Sequence, residues 1–138
     1  MGFWKRRTAL ETMVHRWDAE NAVGEPGPLD PVLAADGIDE MLFVMIAADD
    51  DYVYRGQPVR AAIAPSDTAG GWTLDLVDGA PPRAQVASGT LVRGDGSVTL
   101  SGSAEDLLLF LWGRRGPEAV RLGGDEATTK AFIAWVEE

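Results

Sequence analysis

The stretch Gly102-Ser103-Ala104-Glu105-Asp106-Leu107-Leu108-Leu109-Phe110-Leu111-Trp112-Gly113-Arg114 sets the architecture of this chain. Ser103, with Asp106 three residues on, carries the spacing of a helix N-cap, and Gly113 is the residue type that ends a helix. Between them, Leu107 to Trp112 is an unbroken run of six large apolar residues. It is far short of the roughly 20 residues of a membrane span. A soluble helix that is apolar nearly all round must be covered on several sides. The spacing therefore predicts a central buried helix over Ala104 to Trp112.

On either side of it the pattern turns to strands. Val59 to Ala64, Trp72 to Val77, Arg83 to Ala87, Thr90 to Arg93 and Ser97 to Ser101 are strand candidates, and Glu118 to Leu122 is expected as the last strand. Trp72, Leu74 and Leu76 alternate with Thr73 and Asp75, as one buried face requires. Gly94-Asp95-Gly96 is a hairpin-type turn, which accounts for the Arg-Gly-Asp tripeptide Arg93 to Asp95 without an adhesion role. Asp125 is placed to open a C-terminal helix whose apolar face is Ala131, Phe132, Trp135 and Val136.

Two more helices precede the strands. Phe3 to about Val23 has no Gly or Pro and many good helix formers, and Gly24, Pro26, Gly27 and Pro28 break it. Phe3, Arg7, Leu10, Val14 and Trp17 form one stripe. Glu11, His15 and Asp18 share the adjacent one, because helical neighbours lie three and four apart. Asp30 then caps a helix begun by Pro31 and expected to reach about Ala48, with Leu33, Ile38, Met41, Leu42, Met45 and Ile46 buried. Asp49, Asp50 and Asp51 follow as solvated acids. The fold expected from these elements is α/β of the α+β type, with N-terminal helices followed by a mostly antiparallel sheet packed with helices.

Composition narrows the function. At 46% hydrophobic and 25% charged residues the chain is an ordinary globular domain. Its 22 acids against 12 bases, a formal charge of −10, disfavour nucleic-acid and anionic-membrane partners. There is no cysteine, so thiol catalysis and cysteine-ligated metals are excluded. Phe3-Trp4-Lys5-Arg6-Arg7 does not open a signal peptide, and a cytoplasmic location is the expectation. His15 is the single histidine; no nucleophile elbow or Walker-type loop accompanies it.

Two groups of residues carry chemistry. Glu11 and His15, one helical turn apart, can hold one divalent ion from the same side, with Asp18 as third ligand or as an acceptor orienting the ring. Alternatively they are a Glu–His contact on a solvated face. Arg114 and Arg115, after the buried helix, can hold a carboxylate bidentately, or they complement the negative end of the helix dipole.

Two blocks together resemble the mycothiol-dependent maleylpyruvate isomerase family. One contains Glu11-Thr12-Met13-Val14-His15-Arg16-Trp17-Asp18-Ala19-Glu20, then Pro28-Leu29-Asp30-Pro31 and Ala34-Ala35-Asp36-Gly37. The other is the Gly102 to Arg114 stretch. The resemblance implies residues 1–28 as the last helix and linker of a DinB-like four-helix bundle, and residues 29–138 as a C-terminal α/β domain of sterol-carrier-like fold. It also implies that Glu11 and His15 are metal ligands, with zinc the expected metal and mycothiol the thiol cofactor. In such isomerases the bound thiolate adds to a cis alkene, bond rotation follows, and the thiolate leaves to give the trans product. Arg114 lies in the matching motif and is the candidate for the substrate carboxylate.

The family's third metal ligand, a histidine of an earlier bundle helix, has no counterpart in this sequence, and neither has most of the thiol-cofactor pocket. The chain is therefore expected to be a C-terminal domain or truncated relative of a metal-using isomerase or transferase, inactive by itself. The alternative is a non-catalytic module that binds a small anionic or apolar ligand or associates with itself. Because no other bundle helix is present to cover Phe3, Leu10, Val14 and Trp17, a homodimer through the first helix is expected. Such a dimer would bring two Glu11–His15 pairs together.

Overall fold

A computed structural model describes residues 2–87 and 97–138. The Thr90 to Arg93 strand candidate and the Gly94-Asp95-Gly96 turn, with its Arg-Gly-Asp tripeptide, lie outside the described residues. The order is α1 (Gly2–Ala22), α2 (Pro31–Glu40), a π-helical segment (Met41–Ile46), β1 (Val59–Pro65), β2 (Trp72–Leu76), β3 (Arg83–Val86), β4 (Ser97–Gly102), α3 (Ala104–Leu111), a 3-10 turn (Pro117–Ala119), β5 (Arg121–Gly124) and α4 (Glu126–Val136).

Caps place the helices where the sequence puts them. Asp30, Ser103 and Asp125 each accept a backbone N–H three residues on, from Leu33, Asp106 and Thr128 at 3.0, 3.0 and 2.9 Å. Each satisfies one of the donors that a helix start leaves open.

The five strands lie in the order β3-β2-β1-β4-β5. β1 and β4 run parallel; the other three pairings are antiparallel. Register aligns Leu74, Ala61 and Val98 in one row and Trp72, Ile63 and Leu100 in the next, all buried. On the opposite face Arg60 pairs across the strands with Asp75 at 2.8 Å. The sheet thus has one apolar and one polar face, and α3 and α4 pack on its central strands. In α3 every residue from Leu107 to Leu111 is buried, so the expected central helix is where the apolar run requires it. The class is α+β, with a mostly antiparallel sheet.

Three sequence expectations are corrected. The helix from Pro31 does not stay α-helical: at Met41 it widens, and the Ala47 N–H reaches the Leu42 carbonyl at 2.9 Å, five residues back. The wider turn changes which residues face inward, so Leu42 is fully buried while Met45, expected in the core, is exposed. The last strand is not Glu118 to Leu122. Pro117 presets the backbone for a tight turn, the Val120 N–H closes onto its carbonyl at 3.3 Å, and the strand starts only at Arg121.

The third correction concerns α1. Leu10, Met13, Val14 and Trp17 are buried within this chain, and of the large apolar side chains of α1 only Phe3 and Trp4 stay exposed, edge to face at 5.2 Å. Met13 comes close to Gly37 of α2, where Leu108 of α3 also packs. Around this apolar seam run charge pairs. Arg6 binds Asp36 at 2.8 Å and Asp39 at 2.9 Å, and Asp39 in turn accepts the Trp72 indole N–H at 3.0 Å. Arg7 pairs with Glu40, a carboxylate only 3% exposed, and with Glu11. An acid so buried needs a cation beside it.

Candidate functional site

The two sequence blocks that carry the candidate residues meet in space. Asp18, on the last turns of α1, accepts Arg114 Nε–H on Oδ1 at 3.1 Å and a terminal N–H of the same guanidinium on Oδ2 at 3.0 Å, across 96 positions of sequence. The other terminal nitrogen of Arg114 donates to the Trp112 carbonyl at 2.9 Å, and the guanidinium lies 5.4 Å from the centre of the Trp112 ring. The same Asp18 Oδ2 is 3.5 Å from His15 Nδ1. The Arg114 guanidinium, hydrogen-bonded and opposite in charge, holds the Asp18 carboxyl below its ordinary pKa, with His15 a smaller contributor. The same contact raises Arg114.

Local structure explains the placement. α3 ends at Trp112, and Gly113, at φ 72°, takes the left-handed conformation that turns the chain back. The Arg114 and Arg115 N–H groups then both reach the Leu109 carbonyl, at 2.8 and 3.2 Å. The turn aims Arg114 at Asp18 and Arg115 at Asp106 of α3's own first turn, with Arg115 5.6 Å from the Trp17 ring centre. Both arginines line a cleft of about 520 Å³ with Trp112, Leu111, Met41 and Val136. A smaller hollow of about 330 Å³ adjoins it, walled by Ile46, Tyr52 and Trp135. Arg114 is thus at the edge of a cleft, as a ligand-facing residue would be, but its charge is already answered within the chain. Trp112 is half-buried beneath it rather than fully in the core.

Glu11 and His15 lie one turn apart on the exposed flank of α1. The His15 side chain is 72% exposed, and its Nδ1 faces Asp18, the orienting arrangement considered from the sequence. Glu11 Oε1 sits 2.6 Å from Arg7. Among the described residues no group of three or more His, Asp or Glu side chains is arranged to hold a metal. Two donors, one of them already facing a guanidinium, do not make a zinc site by themselves, since zinc takes three or four protein ligands. The described residues of this chain do not by themselves fit a complete metal centre.

Sequence reasoning missed Glu40, the buried partner that fixes Arg7 beside Glu11. It also missed Asp106, the partner of Arg115. Glu40 carries a faint signal: an acid immediately before Met41 and Leu42 of the apolar stripe is out of place unless a cation meets it. No signal in the linear sequence joins Asp18 to Arg114.

A family model described as the MDMPI C-terminal domain matches residues 32–131. No curated protein matches the chain. Among solved structures, it is similar to a double mutant of the sec-alkyl sulfatase PisA1, with TM-score 0.49 and 16% identity over 80% of this chain. The chain spans 17% of that sulfatase's length. It is also similar to the UbiJ-SCP2 ubiquinone synthesis protein, with TM-score 0.43, 16% identity, and 80% of this chain against 93% of that one. A third likeness is to palmitated SCP2L2 from Aedes aegypti, with TM-score 0.43, 15% identity, and 79% of this chain against 96% of that one. Among the described residues no helix is long and apolar enough to cross a membrane.

Proposed function

The chain belongs to the MDMPI C-terminal domain family, that of the mycothiol-dependent maleylpyruvate isomerases, and from that premise we propose that it is a domain of a thiol-dependent isomerase or transferase, without turnover by itself. Its contribution is twofold. Arg114 receives a carboxylate of the substrate at the edge of the cleft and fixes its orientation, as a planar guanidinium does well. Glu11 and His15 supply two ligands to a metal whose remaining ligand comes from another polypeptide segment. Asp18 keeps the His15 ring in place through Nδ1, leaving Nε2 as the free nitrogen.

The observation that carries this reading is the Asp18 bridge. It ties the last turns of α1 to Arg114, and His15 Nδ1 lies 3.5 Å from the same carboxylate, which supports one site drawing on both motifs. The chain incubated with zinc, mycothiol and maleylpyruvate is expected to give no cis–trans isomerisation above the uncatalysed rate. Turnover by the chain alone would overturn the reading.

A second reading is a non-catalytic module that binds a small anionic or apolar ligand. The two adjoining hollows favour it, because Met41, Leu111 and Val136 line both. An apolar fluorescent probe that binds the wild type and not a cooperatively melting Val136→Asp variant would support it.

A further inference from the structure

We propose that Asp18 is a built-in counter-ion of Arg114, which a ligand carboxylate must displace, and that this exchange selects for anions that bring more than one carboxylate. The proposal rests on the reading that Arg114 receives a ligand carboxylate.

A guanidinium offers a carboxylate two flat edges for bidentate binding. In Arg114 the edge formed by Nε and one terminal nitrogen is taken by both oxygens of Asp18. The other terminal nitrogen donates to the Trp112 carbonyl. One face of the group lies toward the Trp112 ring. An anion that takes the Nε edge bidentately must displace Asp18.

Asp18 is nevertheless able to leave. The pair is about one-third exposed on both sides, where water competes with ion pairs and lowers the cost of separating them. While paired, the carboxylate already has His15 as a second neighbour, at 3.5 Å. Replacing Asp18 by a single free carboxylate exchanges like for like and loses the freedom of the ligand, so a simple monocarboxylate gains almost nothing. A dicarboxylate gains where its second group reaches Arg115, which lines the same cleft, and a carboxylate with an apolar body gains the wall formed by Leu111 and Val136. The internal acid therefore sets a threshold that small monoanions do not cross.

Calorimetric titration with maleate and with acetate tests this on the wild type, Asp18→Asn and Asp18→Ser, each checked for cooperative melting. Glu25→Gln removes the same charge from the loop after α1 and controls for net charge. Both Asp18 variants are expected to bind maleate roughly tenfold tighter than wild type, the scale of one charge-assisted contact. They are also expected to bind acetate measurably, with no gain in Glu25→Gln. Adding Arg114→Ala to Asp18→Asn is expected to abolish that gain. Equal, Arg114-dependent maleate binding with and without Asp18 would overturn the counter-ion role while leaving Arg114 as the ligand's partner. Weaker binding in both Asp18 variants would overturn it in favour of Asp18 as a positioning residue. Absence of maleate binding in every variant would overturn it together with the carboxylate role of Arg114.

Discussion

Leu108 packs both its terminal methyl groups onto the backbone of Gly37: a Cβ at Gly37 would lie 3.2 Å from each of them. Met13 of α1 closes the same spot at 3.6 Å. Three helices therefore meet at a position where one of them has no side chain. The wholly apolar character of α3 is satisfied there by α2 and α1, and elsewhere by the sheet.

Core substitutions at this junction should be severe. Leu108→Asp is expected to abolish cooperative folding, since an unpaired carboxylate would replace a fully buried side chain. Leu108→Ala should cost about 2–5 kcal/mol and Gly37→Val about 1–3 kcal/mol, from a cavity and from overpacking respectively. Chemical denaturation of the three variants checks this. A soluble Leu108→Asp protein with a cooperative melt would refute the placement of α3.

Acid should weaken the start of α4. Hydrogen bonds from the Thr128 backbone and hydroxyl hold the Asp125 carboxyl below its ordinary pKa. A carboxyl with a depressed folded pKa adds stability that is complete above its unfolded value and is lost as pH falls through the folded one. Wild type is therefore expected to lose melting temperature in acid. Asp125→Asn keeps a capping oxygen that does not titrate, and is expected to lose less. Parallel melting curves across the acid range, identical for the two proteins, would contradict this.

Zinc alone should bind the chain weakly. Glu11 faces Arg7, and Arg7 is anchored by buried Glu40. Weak binding that does occur is expected to vanish in His15→Ala. Arg7→Gln combined with Glu40→Gln frees Glu11 without stranding a buried charge, and should bind zinc more tightly than wild type. Calorimetry with zinc chloride measures all three, and unchanged affinity in the double variant would show that Arg7 does not compete for Glu11.

Self-association through α1, if driven by its apolar residues, must run through Phe3 and Trp4, because Leu10, Val14 and Trp17 are covered by the chain itself. Sedimentation velocity is expected to show a dimer that Trp4→Glu dissociates. A monomer at every concentration would exclude this route, and a dimer unaffected by Trp4→Glu would place the contact elsewhere.

What the chain's own letters determine is whatever depends on near neighbours. Asp30, Ser103 and Asp125 start helices because a cap acts over three residues, and the Leu107 to Leu111 run demands burial wherever it lies. Alternation in Trp72, Leu74 and Leu76 marks a strand with one buried face for the same local reason. The family likeness was legible too, since it rests on two short blocks read in order. Tertiary structure alone decided which charges meet. Asp18 and Arg114 are 96 positions apart, and Arg7 reaches Glu40 only once α1 lies on α2. The π turn at Met41, beyond which Met45 lies exposed, falls in a run with no helix-breaking residue to announce it. Ion pairing and packing act over ångströms in space, and no spacing along the chain encodes them.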